Sequence, residues 1–445
     1  MKPAFHITHL GGESCVTGSC HLLQAAGLAV MIDCGLAQGG DALAPMAEWP
    51  VTPAGIDYLF LTHAHIDHVG RLPELIRNGF AGEIICSHPT KALLLPMLHD
   101  AMGFERLEAR DRKRVAARID ELAWGFEYGQ EFTLKKGVRF KLGRAGHILG
   151  SAFIRFVVAD GQGGEESVIF SGDLGNRDTP IIPDPDIADR CDLLILESTY
   201  GNRIHEGRED RIAALAGKLA RALADNGKVF IPAFALGRTQ EILFELDRIF
   251  SEEKWRHRRI PVFVDSPLAL EITDVYSRLS PFWDSEAKKL QAAGDHPFDF
   301  DRLYSVAGYR DHQTLLDIPG PAIVIAGSGM CTGGRIVDHL AAGLADPKND
   351  VFFVGYQAKG TPGRDIVTYG KRPGGYVNLR GEKVVIRAGV EQLTGYSAHA
   401  DQQGLIDWVA AMPEKPGRIK LVHGDEDARI ALREQLVGRG YAVDL

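Results

Sequence analysis

The stretch Leu61-Thr-His-Ala-His-Ile-Asp-His-Val-Gly70 decides the reading of this 445-residue chain. It sets His63, His65, Asp67 and His68 within six residues, directly after the apolar run Tyr58-Leu-Phe-Leu61. Imidazole nitrogens and carboxylate oxygens are ligands that zinc and similar divalent cations accept. A strand ending near Thr62, followed by a tight turn, can aim all four side chains at one place. Four ligands so close in sequence rarely all reach one ion. His63 and His65 are therefore expected to face one metal, and Asp67 and His68 a second. A single loop histidine would read as a solvated surface residue; four ligand-type side chains at this spacing do not.

Working outward, Asp33 follows an apolar run in Ile32-Asp-Cys-Gly35, and His147 sits in Ala145-Gly-His-Ile-Leu-Gly150. Asp173 follows a second apolar run, in Phe170-Ser-Gly-Asp-Leu-Gly175. Taken singly, His147 reads as a structural loop histidine and Asp173 as a turn-capping carboxylate. Taken in order with His-x-His-x-Asp-His, they resemble the signature of the metallo-β-lactamase superfamily. That resemblance implies an αββα sandwich in which His147 completes the first ion's ligands and Asp173 bridges both ions. Asp33 would hold ligands through hydrogen bonds rather than bind metal.

Composition bounds the rest. A chain of this length exceeds what one hydrophobic core normally supports, so two domains are expected. Hydrophobic residues at 45% and charged residues at 24% describe an ordinary globular protein. There is no apolar run of the ~18 residues that would span a bilayer. The N-terminus shows no h-region or cleavage site, so a cytoplasmic protein with no membrane association is expected. The six cysteines form no Cys-x-x-Cys pair, which argues for reduced thiols rather than disulfides or a zinc knuckle. A net charge of −9 does not advertise nucleic-acid binding, but a cleft on an acidic protein can be positive. Two basic clusters, Arg106–Arg118 and Lys254–Arg259, read equally well as solvated surface and decide nothing.

From about Glu209 the pattern changes to single helices between short apolar strands, which predicts βαβ units and a parallel sheet. The second ion's ligands are still incomplete at that point. A donor appears only near the C-terminus, where His423 follows the run Ile419–Val422, 250 residues beyond Asp173. The chain thus leaves the first domain, builds a second and returns. This organisation resembles the β-CASP branch of the superfamily, whose members cut nucleic acids, and the resemblance covers essentially the whole chain. It implies an α/β fold: a metallo-β-lactamase sandwich with an inserted Rossmann-like β-CASP domain of parallel sheet and helices. The expected boundaries are 1–204 and 395–445 for the first domain and 205–394 for the insertion.

Three further motifs of the branch have counterparts here. They are Glu197 in Leu196-Glu-Ser-Thr-Tyr-Gly201, His399 in Ser397-Ala-His-Ala-Asp401, and His423 in His423-Gly-Asp425. RNA-cleaving members carry histidine at the last position, where DNA-repair members resembling Artemis carry valine, so RNA is favoured. The resemblance implies a ribonuclease of the RNase J and 3′-end-processing type, acting on single-stranded RNA with two zinc ions. Manganese is the alternative ion, and a homodimer an option. The chain stops about twenty residues after His423, which weakens any carry-over of RNase J's assembly. In the expected chemistry a two-metal-activated hydroxide attacks phosphorus, with Asp67 and Asp173 holding the metals. Protonated His399 serves as general acid, oriented by Glu197, and the products carry a 5′-phosphate and a 3′-hydroxyl.

Substrate contacts are expected from the insertion. The loop Ala326-Gly-Ser-Gly-Met-Cys-Thr-Gly-Gly334 can offer backbone amides to phosphate, involving Ser328, Gly329 and Met330. Arg335 and His339 would point toward the RNA, and Arg238, Ser266 and Lys359 are further candidates. The alternative readings are a hydrolase of a small ester, thioester or phosphodiester, and a catalytically weak RNA-binding subunit.

Overall fold

The computed structural model describes residues 3–38, 43–104, 108–205, 207, 210–355 and 357–445. The chain divides into two compact units, Met1–Ile204 with His399–Leu445, and His205–Ala398.

The first unit is a sandwich of two sheets. One orders its strands as Phe5–Gly11, Cys20–Ala25, Leu28–Ile32, Tyr58–Phe60, Glu83–Ser87 and Ala123–Phe126. The other runs Val443–Asp444, Arg418–Val422, Leu193–Glu197, Glu165–Phe170, Ala152–Ala159, Arg139–Arg144 and Glu131–Thr133. Val30, Ile32 and Phe60 of the first sheet meet Phe140, Phe156, Phe170 and Ile195 of the second in one buried core. The helices His88–Phe104 and Ala109–Leu122 cover the outer face of the first sheet through Leu94, Leu98, Val115 and Ile119. Helices Gln402–Ala410 and Glu426–Gly438 cover the second through Leu405, Val409, Leu432 and Leu436. The architecture is αββα. Strands Leu28–Ile32 and Tyr58–Phe60 are buried on both faces, which is why they read as unbroken apolar runs.

Strand direction places the chemistry. Leu28–Ile32 and Tyr58–Phe60 are parallel, so Asp33 and His63 leave the sheet at the same edge. Glu165–Phe170, Leu193–Glu197 and Arg418–Val422 are likewise parallel, which brings Asp173, Glu197 and His423 to one edge of the second sheet.

The second unit holds a six-stranded parallel sheet in the order Leu303–Ser305, Val262–Val264, Ala322–Ala326, Lys228–Pro232, Asp350–Phe353, Gly389–Gln392. The helix Arg238–Ser251 packs on one face of it and the helix Ile336–Gly343 on the other. Adjacent strands Lys228–Pro232 and Ala322–Ala326 therefore send their loops apart, forming the kind of switch point where α/β sheets open a crevice. A hairpin, Tyr376–Leu379 with Glu382–Val385, completes the unit.

Several element boundaries differ from expectation. A continuous helix over 105–124 is expected from sequence, yet the helix is Ala109–Leu122 and Trp124 belongs to the strand Ala123–Phe126. The helix expected from Glu209 is found as Arg211–Ala222. Glu105, Arg106 and Glu209 lie outside the described residues. None of the six cysteines is in a disulfide. Among the described residues no helix is long and apolar enough to cross a membrane.

Candidate metal centre and active site

The first unit brings the seven sequence-selected ligands to one point. His63 Nε2 and His147 Nε2 each lie 3.1 Å from His65 Nδ1. They lie 3.5 and 3.6 Å from Asp173 Oδ2. On the other side of Asp173, His68 Nε2 is 3.3 Å from the same oxygen and 3.9 Å from Asp67 Oδ2. His423 Nε2 is 3.7 Å from Asp67 Oδ2, and its Nδ1 is 3.6 Å from Asp173 Oδ1. Two ligand groups result: His63, His65, His147 and Asp173, and Asp67, His68 and His423.

Local structure fixes each donor. His63 and His65 lie between the strand Tyr58–Phe60 and a single helical turn, Ile66–Val69, that carries Asp67 and His68. Buried Asp33 accepts from the Thr62 amide at 2.8 Å and from its hydroxyl at 2.9 Å, and holds His68 Nδ1 at 2.7 Å. That bond turns His68 Nε2 toward Asp67 and Asp173. His423 adopts a left-handed backbone, with its amide on the Gly12 carbonyl and Nδ1 3.1 Å from the Thr199 hydroxyl.

The donors fit metal ions. A neutral imidazole has one N–H, so His65 Nδ1 facing two other imidazole nitrogens cannot satisfy both by hydrogen bonds. Bonds of 2.0–2.1 Å in a tetrahedral zinc site put ligand atoms about 3.3 Å apart. The separations from 3.1 to 3.6 Å in the first group bracket that value. His68 Nε2, His147 Nδ1, Asp173 Oδ1 and His423 Nε2 are buried with no hydrogen-bond partner among the described residues. Burial holds His63 and His147 well below the ordinary imidazole range, so both are neutral and able to ligate. Burial would raise Asp173, but His423, His68 and His399 hold it well below the usual carboxylate range. Burial works against a charged His68 too; Asp173, Asp33 and Asp67 overcome it and raise that group well above its usual value. Three carboxylates thus converge on His68, and such negative charge is neutralised by a proton or by a metal cation.

Beside this centre stands a second pair. Glu197, the buried last residue of its strand, accepts the Leu174 amide at 2.7 Å and the Thr199 amide at 3.1 Å. Its Oε1 faces His399 Nδ1 at 3.2 Å. The His399 carbonyl accepts from Asn176 Nδ2, and the Ala400 amide donates to Leu174, so the imidazole is anchored from its backbone. His399 Nδ1 is also 3.9 Å from Asp173 Oδ2, and its ring centroid is 4.4 Å from that of His147. Burial pulls the imidazolium down, but Glu197 and then Asp173 outweigh it and hold His399 up to about 9. With Nδ1 committed to Glu197, the opposite edge of the ring carries Nε2.

Three family models match the chain in succession: the metallo-β-lactamase superfamily over residues 14–215, the Beta-Casp domain over 239–366, and a Zn-dependent metallo-hydrolase RNA specificity domain over 383–445. Ribonuclease TTHA0252 of Thermus thermophilus is 39% identical over 443 residues, covering 99% of this chain and 97% of that protein. The chain belongs to the β-CASP branch of the metallo-β-lactamase superfamily. A transcription termination factor FttA of Pyrococcus horikoshii is 32% identical, covering 94% of this chain and 66% of its own length. Cleavage and polyadenylation specificity factor 73 of Drosophila melanogaster is 30% identical, covering 98% and 62%. A crystal structure of a protein of unknown function from Enterococcus faecalis superposes with a TM-score of 0.56 at 12% identity, covering 99% of this chain and 97% of that one. That last likeness concerns the fold alone.

In the β-CASP insertion the residues expected to meet phosphate are mostly engaged elsewhere. His339 is buried with Nε2 2.6 Å from Asp265 Oδ2, so it points inward rather than toward a ligand. Arg335 donates to Asp265 Oδ1 and to the Val306 and Ala307 carbonyls, each within 2.8 Å. Arg238 is buried against Glu241, and Ser266 caps the helix Pro267–Arg278 by accepting from the Ala269 amide. Ser328 Oγ accepts from the amides of Thr332 and Gly333, closing the glycine-rich loop on itself. Two causes account for this: Ser266 and Ser328 are recruited by nearby backbone amides, while Arg238, Arg335 and His339 are held by buried carboxylates. The Gly329 and Met330 amides have no such partner among the described residues. Lys359 is exposed.

The basic clusters are also used locally. Arg114 and Arg118 pair with Asp111 and Glu121 on their own helix. In the second, Lys254 pairs with Glu252 and Arg258 lies over the buried Trp255 ring.

Sequence reasoning missed His21 and His312. Buried His21 has its Nδ1 2.9 Å from His9 Nδ1. It lines a cavity of about 20 Å³ shared with His68, Asp173, Glu197 and His423, room for about one water. His312 Nδ1 lies 2.5 Å from Asp265 Oδ2. Neither sits in a motif; each is a lone histidine whose partners are distant in sequence, so no local signal marks it.

Proposed function

We propose that this chain is a metal-dependent ribonuclease that hydrolyses phosphodiester bonds of single-stranded RNA to 5′-phosphate and 3′-hydroxyl ends. The observation that carries the reading is the His399–Glu197 pair, 3.2 Å apart and set against the bridging position of Asp173. A hydrolase that only needs metal-bound water has no use for a buried carboxylate holding a second imidazole charged. A nuclease does, because the departing ribose 3′-oxygen is strongly basic and must take a proton.

In this reading His63, His65, His147 and Asp173 hold one ion and Asp67, His68, His423 and Asp173 the other. The imidazole-rich donor set suits zinc, with manganese as the alternative. Bound there, two divalent cations lower the pKa of a water and neutralise charge on the phosphoryl oxygens. Asp33 and Thr199 keep His68 and His423 turned toward the ions. The water gives one proton to solvent and its oxygen bonds to phosphorus, the P–O3′ bond breaks, His399 Nε2 passes its proton to O3′, and solvent reprotonates His399. Glu197 keeps that imidazole charged between turnovers and fixes which nitrogen faces the substrate. We assign the catalytic domain to 1–204 and 395–445 and the β-CASP insertion to 205–394.

The test is to incubate 5′-labelled single-stranded RNA and DNA with the zinc- or manganese-loaded protein and to map the product ends. RNA products with 5′-phosphate and 3′-hydroxyl termini are expected. Products ending in cyclic or 3′-phosphate, or turnover of small thioesters in place of RNA, overturn the reading.

A further inference from the structure

The β-CASP insertion carries a surface that the catalytic reading leaves unused. The segment 369–387 contains Lys371, Arg372, Arg380, Lys383 and Arg387 against a single acid, Glu382. This is a local excess of +4 on a chain of net charge −9. Arg380 is spent on an ion pair with Asp338. Lys371, Arg372, Lys383 and Arg387 are exposed and have no carboxylate partner among the described residues. Such a run of unpaired cations on an acidic protein is the charge pattern that attracts a polyanion.

The same surface displays aromatic rings. In the hairpin, Val377 and Leu379 face the core while Tyr376 and Asn378 face out, in register with Val385 and Lys383. Tyr376 is 43% exposed, its cross-strand partner Val385 40%, and Tyr369 39%. Lys383 Nζ sits 4.0 Å from the Tyr376 ring centroid, and Arg372 Cζ 5.2 Å from that of Tyr369. Each exposed ring is thus paired with its own cation, matching the base and phosphate of a nucleotide. Core packing does not call for exposed rings, and bases stack on such rings whatever their identity.

The helix that leads to this surface begins beside the glycine-rich loop. Gln357 Nε2 donates to the Gly329 carbonyl at 3.0 Å, and the Gly363 amide to that of Met330 at 3.1 Å. From there the helix Pro362–Tyr369 runs to Tyr369 itself, a span of about 12 Å at 1.5 Å per residue. One helix therefore separates the Gly329–Met330 loop from the tyrosine–cation pairs.

We propose that Tyr369, Arg372, Tyr376, Lys383 and Arg387 form an accessory subsite that holds single-stranded RNA by stacking and phosphate contact. It rests on the ribonuclease reading and extends it: the insertion grips substrate sequence-independently through these residues, one helix away from the Gly329–Met330 loop.

Fluorescence anisotropy with a phosphorothioate 20-nucleotide oligouridine, read across a salt series on the full metal-loaded chain, tests this. The Tyr369→Ala/Tyr376→Ala variant should weaken binding by roughly 5- to 150-fold per ring. The Tyr369→Phe/Tyr376→Phe variant, which keeps both rings, should bind as the unmodified chain does. Lys383→Gln/Arg387→Gln should flatten the log–log salt slope by about 1.4, since each single-strand phosphate contact contributes ~0.7. Lys254→Gln, which removes a charge paired with Glu252, should leave the slope unchanged. If the tyrosine and cation variants bind with unaltered affinity and slope while the unmodified chain cleaves RNA, the subsite is overturned and the patch serves another partner. If the unmodified chain neither binds nor cleaves RNA, the ribonuclease reading has failed and the subsite with it.

Discussion

Each unit buries a cluster of histidines around an aspartate, and the two clusters behave as opposites. In the catalytic unit the donor nitrogens stand 3.1 Å apart, and buried atoms of His68, Asp173 and His423 face one another with no shared proton. In the insertion, His312 and His339 approach one oxygen of Asp265 to 2.5 and 2.6 Å, and Arg335 holds the other oxygen at 2.7 Å. Those are lengths of charge-assisted hydrogen bonds. Both clusters bring ligand-type atoms close together, in groups of four and three in the catalytic unit and in a group of three in the insertion. What separates them is spacing: a metal holds its ligands apart, a proton draws them together. The guanidinium on Asp265 already supplies the positive charge that a metal would bring.

The sharpest way to break this contrast is to remove the central aspartate from each cluster. Asp173→Ala should lose both ions and nearly all ribonuclease activity, a fall beyond the ~10⁴-fold that loss of a general acid can cause. Elemental analysis that still finds two metals per chain, with normal turnover, would end the assignment of Asp173 as the ligand shared by both ions. Asp265→Ala should keep its metals. It should instead destabilise the fold by about 3–5 kcal/mol, because Arg335 and two buried histidines lose the carboxylate they share. Urea unfolding reads that loss, and a drop in metal content would show that the cluster in the insertion is a metal site after all.

Legibility in the sequence followed the same divide. Asp33, His63, Asp173, Glu197 and His423 stand out in the sequence because each closes or closely follows an apolar strand, whereas Asp67, His68, His147 and His399 lie in turns and loops and are picked out only by their motifs. Parallel strands then deliver those ends to one edge, so motif order alone carried much of the geometry. The insertion was harder. His339 and Arg335 sit where a phosphate contact would be expected, but Asp265, seventy residues away from Arg335, claims both. The hairpin Tyr376–Leu379 with Glu382–Val385 was missed because four-residue strands barely establish an alternation. The strands Phe5–Gly11 and Cys20–Ala25 were missed where polar His9 and His21 interrupt their runs.

Within the catalytic unit, His399 and His423 offer a finer version of the contrast. His399→Ala should retain both metals and lose roughly 10²- to 10⁴-fold in kcat, since the 3′-oxygen would then leave without a proton. His423→Ala should lose occupancy at the second ion and recover in part with excess metal. Metal loss from His399→Ala, with His423→Ala fully loaded, would mean that the two roles are exchanged. Asp33→Asn should have a smaller effect, about 10- to 100-fold in metal affinity, because it loosens His68 without removing a ligand. A competitive chelator titration measures that difference, and an unchanged affinity would show that Asp33 does not set the His68 orientation.

The smallest effect should come from Glu197→Gln, and it should depend on pH. The glutamine keeps an oxygen facing His399 Nδ1 but removes the negative charge that, with Asp173, outweighs burial and holds the imidazolium up to about 9. A general acid works only while protonated, so the rate falls as pH rises through its pKa. Without the carboxylate that pKa moves down, and the alkaline fall begins at lower pH. At acidic pH, below the lowered pKa of the variant's His399, variant and parent should both hold the proton and their rates converge. From there up to about pH 9, where the parent's imidazolium itself begins to lose its proton, the ratio of variant to parent rate should decline steadily. A ratio that is flat across this range would mean that Glu197 acts only by holding the Leu174 and Thr199 amides, and that the charge on His399 owes nothing to it.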